Sequence, residues 1–87
     1  MQRPPARRFG FDLGAWRRQA ITALRLQPGM TVIDLGCGTG LNFPQLRREI
    51  GPDGTIIGID LSPEMLAQAQ ETAAAQQWDN VHLVCAD

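Results

Sequence analysis

Several residue types are missing or rare in this sequence, and each absence excludes a class of protein. The 87-residue chain has no Tyr, one His and two Cys, and all eight of its basic residues are Arg. Two Cys are too few for the disulfide framework of a small secreted scaffold. Together with one His they are also too few for a Cys/His structural zinc site. We therefore expect a protein without a metal centre.

Long apolar runs and a strong net charge are also missing. The longest apolar run is far shorter than the ~20 residues that a membrane-spanning helix needs. The formal net charge is −1, so no broad electrostatic attraction to nucleic acid or to a membrane surface follows. With 44% hydrophobic and 20% charged residues, the composition is typical of a globular domain. We expect a cytoplasmic protein with no nucleic-acid partner and no membrane span.

The first ten residues differ in character from the rest. They contain three Arg and two Pro, but no acidic residue and no long apolar core of the kind that a secretory signal has. We interpret residues 1–10 as a loose basic leader and residues 11–87 as a single partial domain.

Beyond the leader, helical and strand periodicities alternate along the chain. The predicted helices run from Asp12 to Leu26, Asn42 to Ile50 and Ser62 to Gln76, and the predicted strands from Thr31 to Leu35, Thr55 to Ile59 and Val81 to Cys85. The strands are β-branched and apolar, a pattern typical of strands that are buried on both faces. Strands that alternate with helices favour an α/β fold with a parallel sheet, here of three strands.

The spacing of apolar residues predicts the inner face of each helix, and capping residues predict where two helices begin. Asp12 and Ser62 are suited to the N-cap position, and Pro63 to the first helical turn. The predicted inward-facing residues are Trp16, Ala20, Ala23 and Leu24 on the first helix, Phe43, Leu46 and Ile50 on the second, and Met65, Leu66, Ala69, Thr72 and Ala73 on the third.

A glycine-rich loop between the first strand and the second helix is the central chemical feature. Gly36, Gly38 and Gly40 alternate along it. Glycine lets the chain turn sharply and lets a ligand approach the bare backbone, and this loop leads into a helix N-terminus. A tight turn that binds nothing can have the same three glycines, so the loop alone leaves both interpretations open.

Acidic residues at the ends of the other two strands favour the ligand-binding interpretation. Asp60 ends the second strand and Asp87 follows the third, so both share the carboxyl edge of the sheet with the loop. Open α/β sheets bind their ligands at this edge. An acid in the position of Asp60 can accept hydrogen bonds from two ribose hydroxyls, since Ser62 is available to cap the next helix. We predict a ligand that contains a nucleoside.

The loop does not match two common phosphate-binding motifs. The dinucleotide pattern GxGxxG needs a small residue where this sequence has Leu41 or Phe43, and the phosphate loop needs a Lys. Asp34, two residues before the first glycine, would repel a phosphate group and attract an ammonium group.

The segment from Asp34 to Gly40 resembles motif I of the class I S-adenosylmethionine-dependent methyltransferases, which have a Rossmann-like fold. Gly58 to Ser62 resembles the next motif of that family, and Cys85 to Asp87 resembles the segment that meets adenine. The three motifs have the family's order and spacing, and the resemblance covers residues 14–87. Within the family, small-molecule and lipid-quinone methyltransferases are the most similar.

The resemblance implies that S-adenosylmethionine is the cofactor. The implied cofactor-binding residues are Asp34, Gly36, Cys37, Gly38, Gly40, Asp60, Leu61, Met65, Ala86 and Asp87. Asp34 and the backbone of Gly36 and Gly38 would hold the methionine end, and Asp60 would bind both ribose hydroxyls.

Further roles that the resemblance implies concern the adenine. Leu61 would pack on the adenine with Met65 nearby, although helical spacing alone places Met65 in the core. Asp87 would accept a hydrogen bond from the adenine amino group, and Ala86 would add backbone contacts. Cys37 would face the cofactor without a covalent role, although a thiol at a helix N-terminus can also be an activated nucleophile.

The implied reaction is methyl transfer from S-adenosylmethionine to a small-molecule or lipid-like acceptor. Such enzymes have seven strands, and this sequence contains only the first three, so we expect the cofactor-binding half without the substrate half and name no catalytic base. Two alternatives stay open. One is a nucleoside- or dinucleotide-binding fragment without catalytic activity, and the other is a truncated chain that cannot fold alone.

The topology also predicts an uncovered surface. Right-handed crossovers place the second and third helices on one face of the sheet, and the resemblance places the first helix there too. We therefore expect the opposite face to be open, so that the isolated chain self-associates or binds a complementing chain.

We expect neither a disulfide bond nor a functional histidine. The second strand should lie between the other two, which separates Cys37 from Cys85 by about 9–10 Å, beyond disulfide reach. His82 lies in the middle of the third strand, away from the carboxyl edge, and we expect its role to be structural.

Overall fold

The computed structural model describes residues 13–86 and has the predicted alternation of helices and strands. The helices are α1 (Leu13–Ala23), α2 (Phe43–Ile50) and α3 (Pro63–Ala75), and the strands are β1 (Thr31–Leu35), β2 (Thr55–Asp60) and β3 (Val81–Cys85). The leader, the predicted cap at Asp12 and the acid at position 87 lie outside the described residues. Within residues 13–86, no helix has the length and apolar character to cross a membrane.

Helix α1 ends three residues before the predicted end at Leu26. The amides of Leu24 and Arg25 donate to the carbonyls of Ile21 and Thr22, three residues back, at 3.0 and 3.1 Å. These bonds tighten the last turn, and Arg25 then takes a left-handed conformation with φ of 54°. The prediction was wrong because the reversal of the chain comes before the Pro-Gly turn that we took as the stop signal.

The starts of α2 and α3 are as predicted. The Ser62 hydroxyl accepts a hydrogen bond from the Met65 amide at 3.2 Å, and Pro63 occupies the first turn of α3. Asn42 is the N-cap residue of α2 but makes no side-chain cap bond, because its amide group turns toward Asp34 instead.

The three strands form a parallel sheet in the order β1-β2-β3. Thr31 pairs with Thr55, and Ile56 pairs with Val81, so the strands start nearly level and end at one carboxyl edge. The central position of β2 confirms the predicted strand order. Cys37 and Cys85 are both free thiols, as expected from their separation.

The core lies between the three helices and one face of the sheet. Its buried residues are Ile21, Cys37, Phe43, Leu46, Ile50, Ile56, Leu66 and Ala69. Val32, Val81 and Leu83 pack against this cluster from the sheet. The inward orientation predicted for six residues of α2 and α3 is confirmed, since Ala73 is buried as well. The helices α2 and α3 therefore cover the same face, as right-handed crossovers require, and Ile21 of α1 joins the same buried cluster.

The predicted inner face of α1 is wrong. Trp16 is 63% exposed, and Ala20, Ala23 and Leu24 are exposed too. The face that packs on α2 contains Ile21, which is buried, and it is held by the Gln45 side chain, which donates to the Arg18 carbonyl at 3.0 Å. The buried face of α1 is rotated relative to the predicted one because α2, rather than the sheet, supplies the packing surface for α1.

Two predicted inward residues of α3 are exposed. Met65 is 46% exposed, and Thr72 is also on the surface. The buried stripe of α3 is narrower than predicted and consists of Leu66, Ala69 and Ala73. Small alanines let α3 approach the sheet closely, so the residues that flank the stripe stay outside the contact.

The second face of the sheet is uncovered in residues 13–86. We call it the bare face; it consists of Ile33, Leu35, Ile57, Ile59, His82 and Val84, which the register places in two rows across the strands. Ile33 is 58% exposed and Leu35 is 75% exposed. The expectation of an open face is therefore confirmed, because no helix of residues 13–86 packs on this side, although the apolar pattern of the strands is typical of burial on both faces. His82 lies in mid-strand, as predicted.

Candidate functional site

The carboxyl ends of the three strands form one edge, which we call the carboxyl rim (residues 34–42, 60–62 and 86). A cavity of about 350 Å³ opens there. Its lining residues are Leu35, Gly36, Ile59, Asp60, Leu61 and Ala86. Four of the sequence-predicted site residues therefore line one cavity, and the rest of the described ones are considered in turn below.

Asp60 connects the two loops of the carboxyl rim. Its Oδ2 accepts a hydrogen bond from the Gly38 amide at 2.8 Å, and its Oδ1 accepts one from the Ser62 amide at 3.0 Å. These two bonds hold the pKa of the Asp60 carboxyl below its usual value. A carboxylate has about four acceptor positions, so each oxygen retains capacity for a hydroxyl donor.

Two of the three loop glycines leave open space beside the backbone. Gly36 and Gly38 have φ values of 69° and 57°, in the left-handed region that favours glycine. A Cβ on Gly36 would meet no atom within 4 Å, and one on Gly38 would lie 3.6 Å from the Met65 sulfur. The open space beside both residues fits close approach of a ligand.

Gly40 and Cys37 turn toward the core instead. Gly40 is buried, and a Cβ there would lie 2.6 Å from the Phe43 ring. Cys37 is buried with its sulfur above Gly58, where a Cβ would approach to 2.8 Å. Gly40 and Gly58 therefore make room for Phe43 and Cys37. The sequence analysis did not predict this packing role of Gly58, although a glycine inside a strand is a signal of close packing.

The Cys37 thiol is not activated in this environment. Burial raises its pKa, and the charges of Asp34 and Asp60 raise it further. A thiol with a raised pKa is mainly protonated near neutral pH and is a poor nucleophile. The geometry thus supports a packing role for Cys37.

The backbone amides of the loop are already occupied. Gly36 and Cys37 both donate to the Ile59 carbonyl, at 2.7 and 3.0 Å, while Gly38 donates to Asp60. Gly40 donates to the Cys37 carbonyl at 2.9 Å. The end of β2 accepts from Gly36, Cys37 and Gly38, and the Cys37 carbonyl accepts from Gly40, so these four amides are already paired. The Gly36 carbonyl, by contrast, accepts no hydrogen bond within residues 13–86.

Asp34 is a half-buried carboxylate whose negative charge is only weakly stabilised by its neighbours. Both of its oxygens lie 3.4 Å from the Asn42 amide nitrogen, and no cationic side chain of residues 13–86 pairs with it. Burial raises the pKa of Asp34, and the Asn42 contact opposes that shift in part. Sequence reasoning missed Asn42; its signal is a polar N-cap residue that directly follows the glycine loop.

Apolar side chains flank these acceptors. Leu61 and Ala86 line the cavity, and the exposed Met65 sulfur lies over Gly38. The Ala86 amide donates to the Asp60 carbonyl at 3.0 Å, which keeps the end of β3 level with the end of β2. The carboxyl rim thus combines two carboxylates, a free carbonyl and an apolar ledge. Within residues 13–86, no three His, Cys, Asp or Glu side chains are grouped to hold a metal ion.

Comparisons with known proteins show what this chain is similar to. A family model described as a methyltransferase domain matches residues 26–87. An arsenite methyltransferase of Halobacterium salinarum is 40% identical over 72 residues, which is 83% of this chain and 18% of that protein. A demethylmenaquinone methyltransferase of Desulfitobacterium hafniense is 38% identical over 73 residues, which is 84% of this chain and 28% of that protein. The chain therefore spans less than a third of the length of these relatives.

A solved structure supports the same comparison. The SAM-dependent methyltransferase from Aquifex aeolicus is 30% identical and superposes with a TM-score of 0.74, over 97% of this chain and 43% of that one. The likeness confirms the predicted Rossmann-like α/β fold and the partial coverage of it.

Proposed function

Because the chain belongs to the methyltransferase-domain family, we propose that its carboxyl rim binds S-adenosylmethionine and forms the cofactor-binding half of a methyl-transfer enzyme. The observation that carries this proposal is the chemistry of the rim. Asp34, Asp60 and the Gly36 carbonyl offer acceptor atoms there, while the amides of Gly36, Cys37, Gly38 and Gly40 already donate within the fold. A cationic ligand with hydroxyl and ammonium donors suits such a site, and an anionic phosphate does not.

The ribose half of the proposed ligand fits Asp60. A ribose offers two neighbouring hydroxyl donors, and each Asp60 oxygen has already spent one lone pair on a backbone amide and retains another. The lowered pKa keeps this carboxylate ionised at neutral pH. The Gly38 and Ser62 amides also fix its orientation before a ligand arrives, which reduces the ordering cost of binding.

The methionine half of the proposed ligand fits Asp34 and the Gly36 carbonyl. An ammonium group donates up to three hydrogen bonds. It also carries a positive charge, and no cationic side chain of residues 13–86 pairs with the half-buried Asp34 carboxylate. The open space beside Gly36 leaves room for this group. Leu61 and Met65 would supply apolar contacts near the adenine, and the acid at position 87 would bind its amino group.

The chemistry that the cofactor supplies when bound is an electrophilic methyl group on a sulfonium. The proposed contribution of this chain is to bind and orient the cofactor. Asp34 holds its methionine end and Asp60 holds its ribose, while the apolar side chains of Leu61 and Met65 exclude water from one side. Orientation of this kind accounts for a large part of the barrier reduction in group transfer.

The acceptor is proposed to be a small or lipid-like molecule. The relatives are named for methylation of arsenite and of demethylmenaquinone, which are both small acceptors. Catalytic residues and the acceptor pocket are proposed to lie in the part of the fold that this chain does not span. We propose that the activity is cytoplasmic, since two Cys are too few for the disulfide framework of a small secreted scaffold.

A pair of ligands tests the proposed orientation. S-adenosylhomocysteine carries the ammonium group, and 5′-methylthioadenosine keeps the nucleoside but lacks it. In calorimetric titrations, Asp34→Asn should weaken binding of S-adenosylhomocysteine at least about tenfold, because a charged hydrogen bond is lost. Binding of 5′-methylthioadenosine should change by less than about twofold.

The matched control is Asp79→Asn, which removes an exposed carboxylate outside the carboxyl rim. It should leave both affinities unchanged. The proposal is contradicted if Asp34→Asn binds S-adenosylhomocysteine as tightly as the parent, or if it weakens both ligands equally.

A further inference from the structure

A second and larger cavity lies away from the carboxyl rim, between α2 and the C-terminal half of α3. We call it the α2–α3 groove; its volume is about 580 Å³. Its lining residues are Pro44, Arg47, Arg48, Gly51, Pro52, Thr72, Gln76 and Trp78. None of them belongs to the carboxyl rim, so the groove has a separate chemistry that the proposed methyl transfer does not use.

The charged side chains that line the α2–α3 groove are all positive. Its only ionisable lining residues are Arg47 and Arg48, and neither pairs with a carboxylate of residues 13–86. Both lie in the last turn of α2, where the helix dipole favours a cation. That location explains why cations are tolerated there, but it provides no counter-ion for two adjacent guanidinium groups.

Arg47 is held in place although one of its donors is unpaired. Its guanidinium carbon lies 5.9 Å from the centroid of the Trp78 ring, within the range of a cation–π contact. Its Nε is buried and has no hydrogen-bond acceptor among residues 13–86. Buried donors in native proteins nearly always have a partner, so this one indicates a cation that is partly desolvated and not compensated. Such a cation attracts an anion more strongly than a fully hydrated one does.

The remaining walls of the groove are largely apolar. The Trp78 indole and the rings of Pro44 and Pro52 offer flat hydrocarbon surfaces, and the Gln76 amide adds a hydrogen-bond donor. A ligand that fits must therefore combine an anionic group with an apolar body. Inorganic ions lack the body, and neutral aromatic molecules lack the charge.

We propose that the α2–α3 groove binds a phosphate monoester carried on an apolar or aromatic body. A phosphate monoester is nearly dianionic at neutral pH and has three acceptor oxygens, so it can engage both guanidinium groups at once. A carboxylate carries one negative charge and two acceptor oxygens, so it offers the two guanidinium groups less charge and fewer acceptor atoms than a phosphate monoester does. Two adjacent arginines without a counter-ion therefore match the phosphate better.

The test measures the fluorescence of Trp78, which lines the groove. The background substitution Trp16→Phe removes the other tryptophan, which is 63% exposed on α1, so that all indole fluorescence comes from the groove. The 87-residue chain is titrated with phenyl phosphate, benzoate and benzyl alcohol at millimolar concentrations. We expect a saturable change with phenyl phosphate, affinity for benzoate at least about fivefold weaker, and no saturation with benzyl alcohol.

Variants of the groove separate binding from folding. Arg47→Gln and Arg48→Gln should each weaken phenyl phosphate binding at least about tenfold, and the control Arg17→Gln on α1 should change it by less than about twofold. Thermal melts establish that each variant is folded. The absence of saturation with phenyl phosphate, equal affinity for benzoate or benzyl alcohol, or unchanged binding by the folded Arg48→Gln variant would overturn the proposal.

Discussion

The carboxyl rim and the bare face are built from the same three strands, yet they are incomplete in different ways. At the carboxyl rim, Asp34, Asp60 and the Gly36 carbonyl are acceptors without enough donors, and two backbone amides already fix the position of the Asp60 carboxylate. On the bare face, apolar side chains such as Ile33 and Val84 form rows that no helix of residues 13–86 covers. The first surface suits a small polar ligand, and the second suits more protein.

This difference shows that a binding site needs only local contacts, whereas a stable domain needs both faces of its sheet covered. Every contact that shapes the carboxyl rim comes from residues between Asp34 and Ala86, so a chain that spans less than a third of its relatives can still form it. Parallel strands, by contrast, are normally covered on both faces, and one covering layer is absent from the described residues. Ligand binding and self-association should therefore respond to different substitutions.

The largest effect should come from Gly38→Val, which should abolish binding of S-adenosylhomocysteine. A branched side chain would enter the space where the ligand approaches, near the Met65 sulfur, and φ of 57° is unfavourable for valine. Calorimetry should detect no binding. The matched control is Gly29→Val, which imposes a similar strain at φ of 87° in a turn outside the carboxyl rim. Both variants should melt earlier, and only the first should lose the ligand; a folded Gly38→Val chain that binds would contradict this assignment.

Asp60→Ala should weaken S-adenosylhomocysteine at least about tenfold, because it removes a charged acceptor for two hydroxyls. It also removes the acceptor of the Gly38 amide, so the glycine loop loses an anchor. The control Asp53→Ala deletes an exposed carboxylate in the turn before β2 and should leave the affinity unchanged. If Asp60→Ala binds as well as the parent, the ribose assignment is wrong.

The bare face should control self-association instead of binding. At micromolar concentration, sedimentation velocity should show dimers or larger species of the 87-residue chain, since an exposed apolar face next to an open strand edge favours association. Ile33→Lys should shift the distribution toward monomer and change the ligand affinity by less than about twofold. The control Leu24→Lys replaces another exposed apolar residue by lysine directly after α1, away from this face. A parent chain that is a cooperatively folded monomer would show that the face is not an association surface.

The smallest effect should be a pH dependence that originates at Asp34. Burial raises its pKa, so the carboxyl gains a proton earlier than usual as the pH falls, and the neutral form cannot pair with an ammonium group. Affinity for S-adenosylhomocysteine should therefore decline by less than about tenfold between neutral pH and about pH 5. Asp60 should not contribute in that range, because its pKa is lowered. The decline should be absent in Asp34→Asn, and its persistence there would assign it to another group.

The parts of this structure that sequence patterns predicted are those with local signals. The Ser62-Pro63 start of α3, the glycine loop and the strand ends each depend on residues that are adjacent in the chain. The inner face of α1 was not predictable in this way, because it is set by contact with α2. For the same reason, the pattern of glycines could not reveal that the Gly36 and Cys37 amides donate to Ile59, which is more than twenty residues away.

The most direct test of the central claim is a calorimetric titration of the 87-residue chain with S-adenosylhomocysteine and, in parallel, with NAD. An acceptor-rich carboxyl rim with occupied glycine amides predicts saturable one-to-one binding of S-adenosylhomocysteine and no saturation by NAD, whose pyrophosphate needs donors. Equal or tighter binding of NAD would mean that the chain is a dinucleotide-binding fragment. The absence of any binding of S-adenosylhomocysteine by the folded chain would contradict the assignment of the carboxyl rim as a cofactor site.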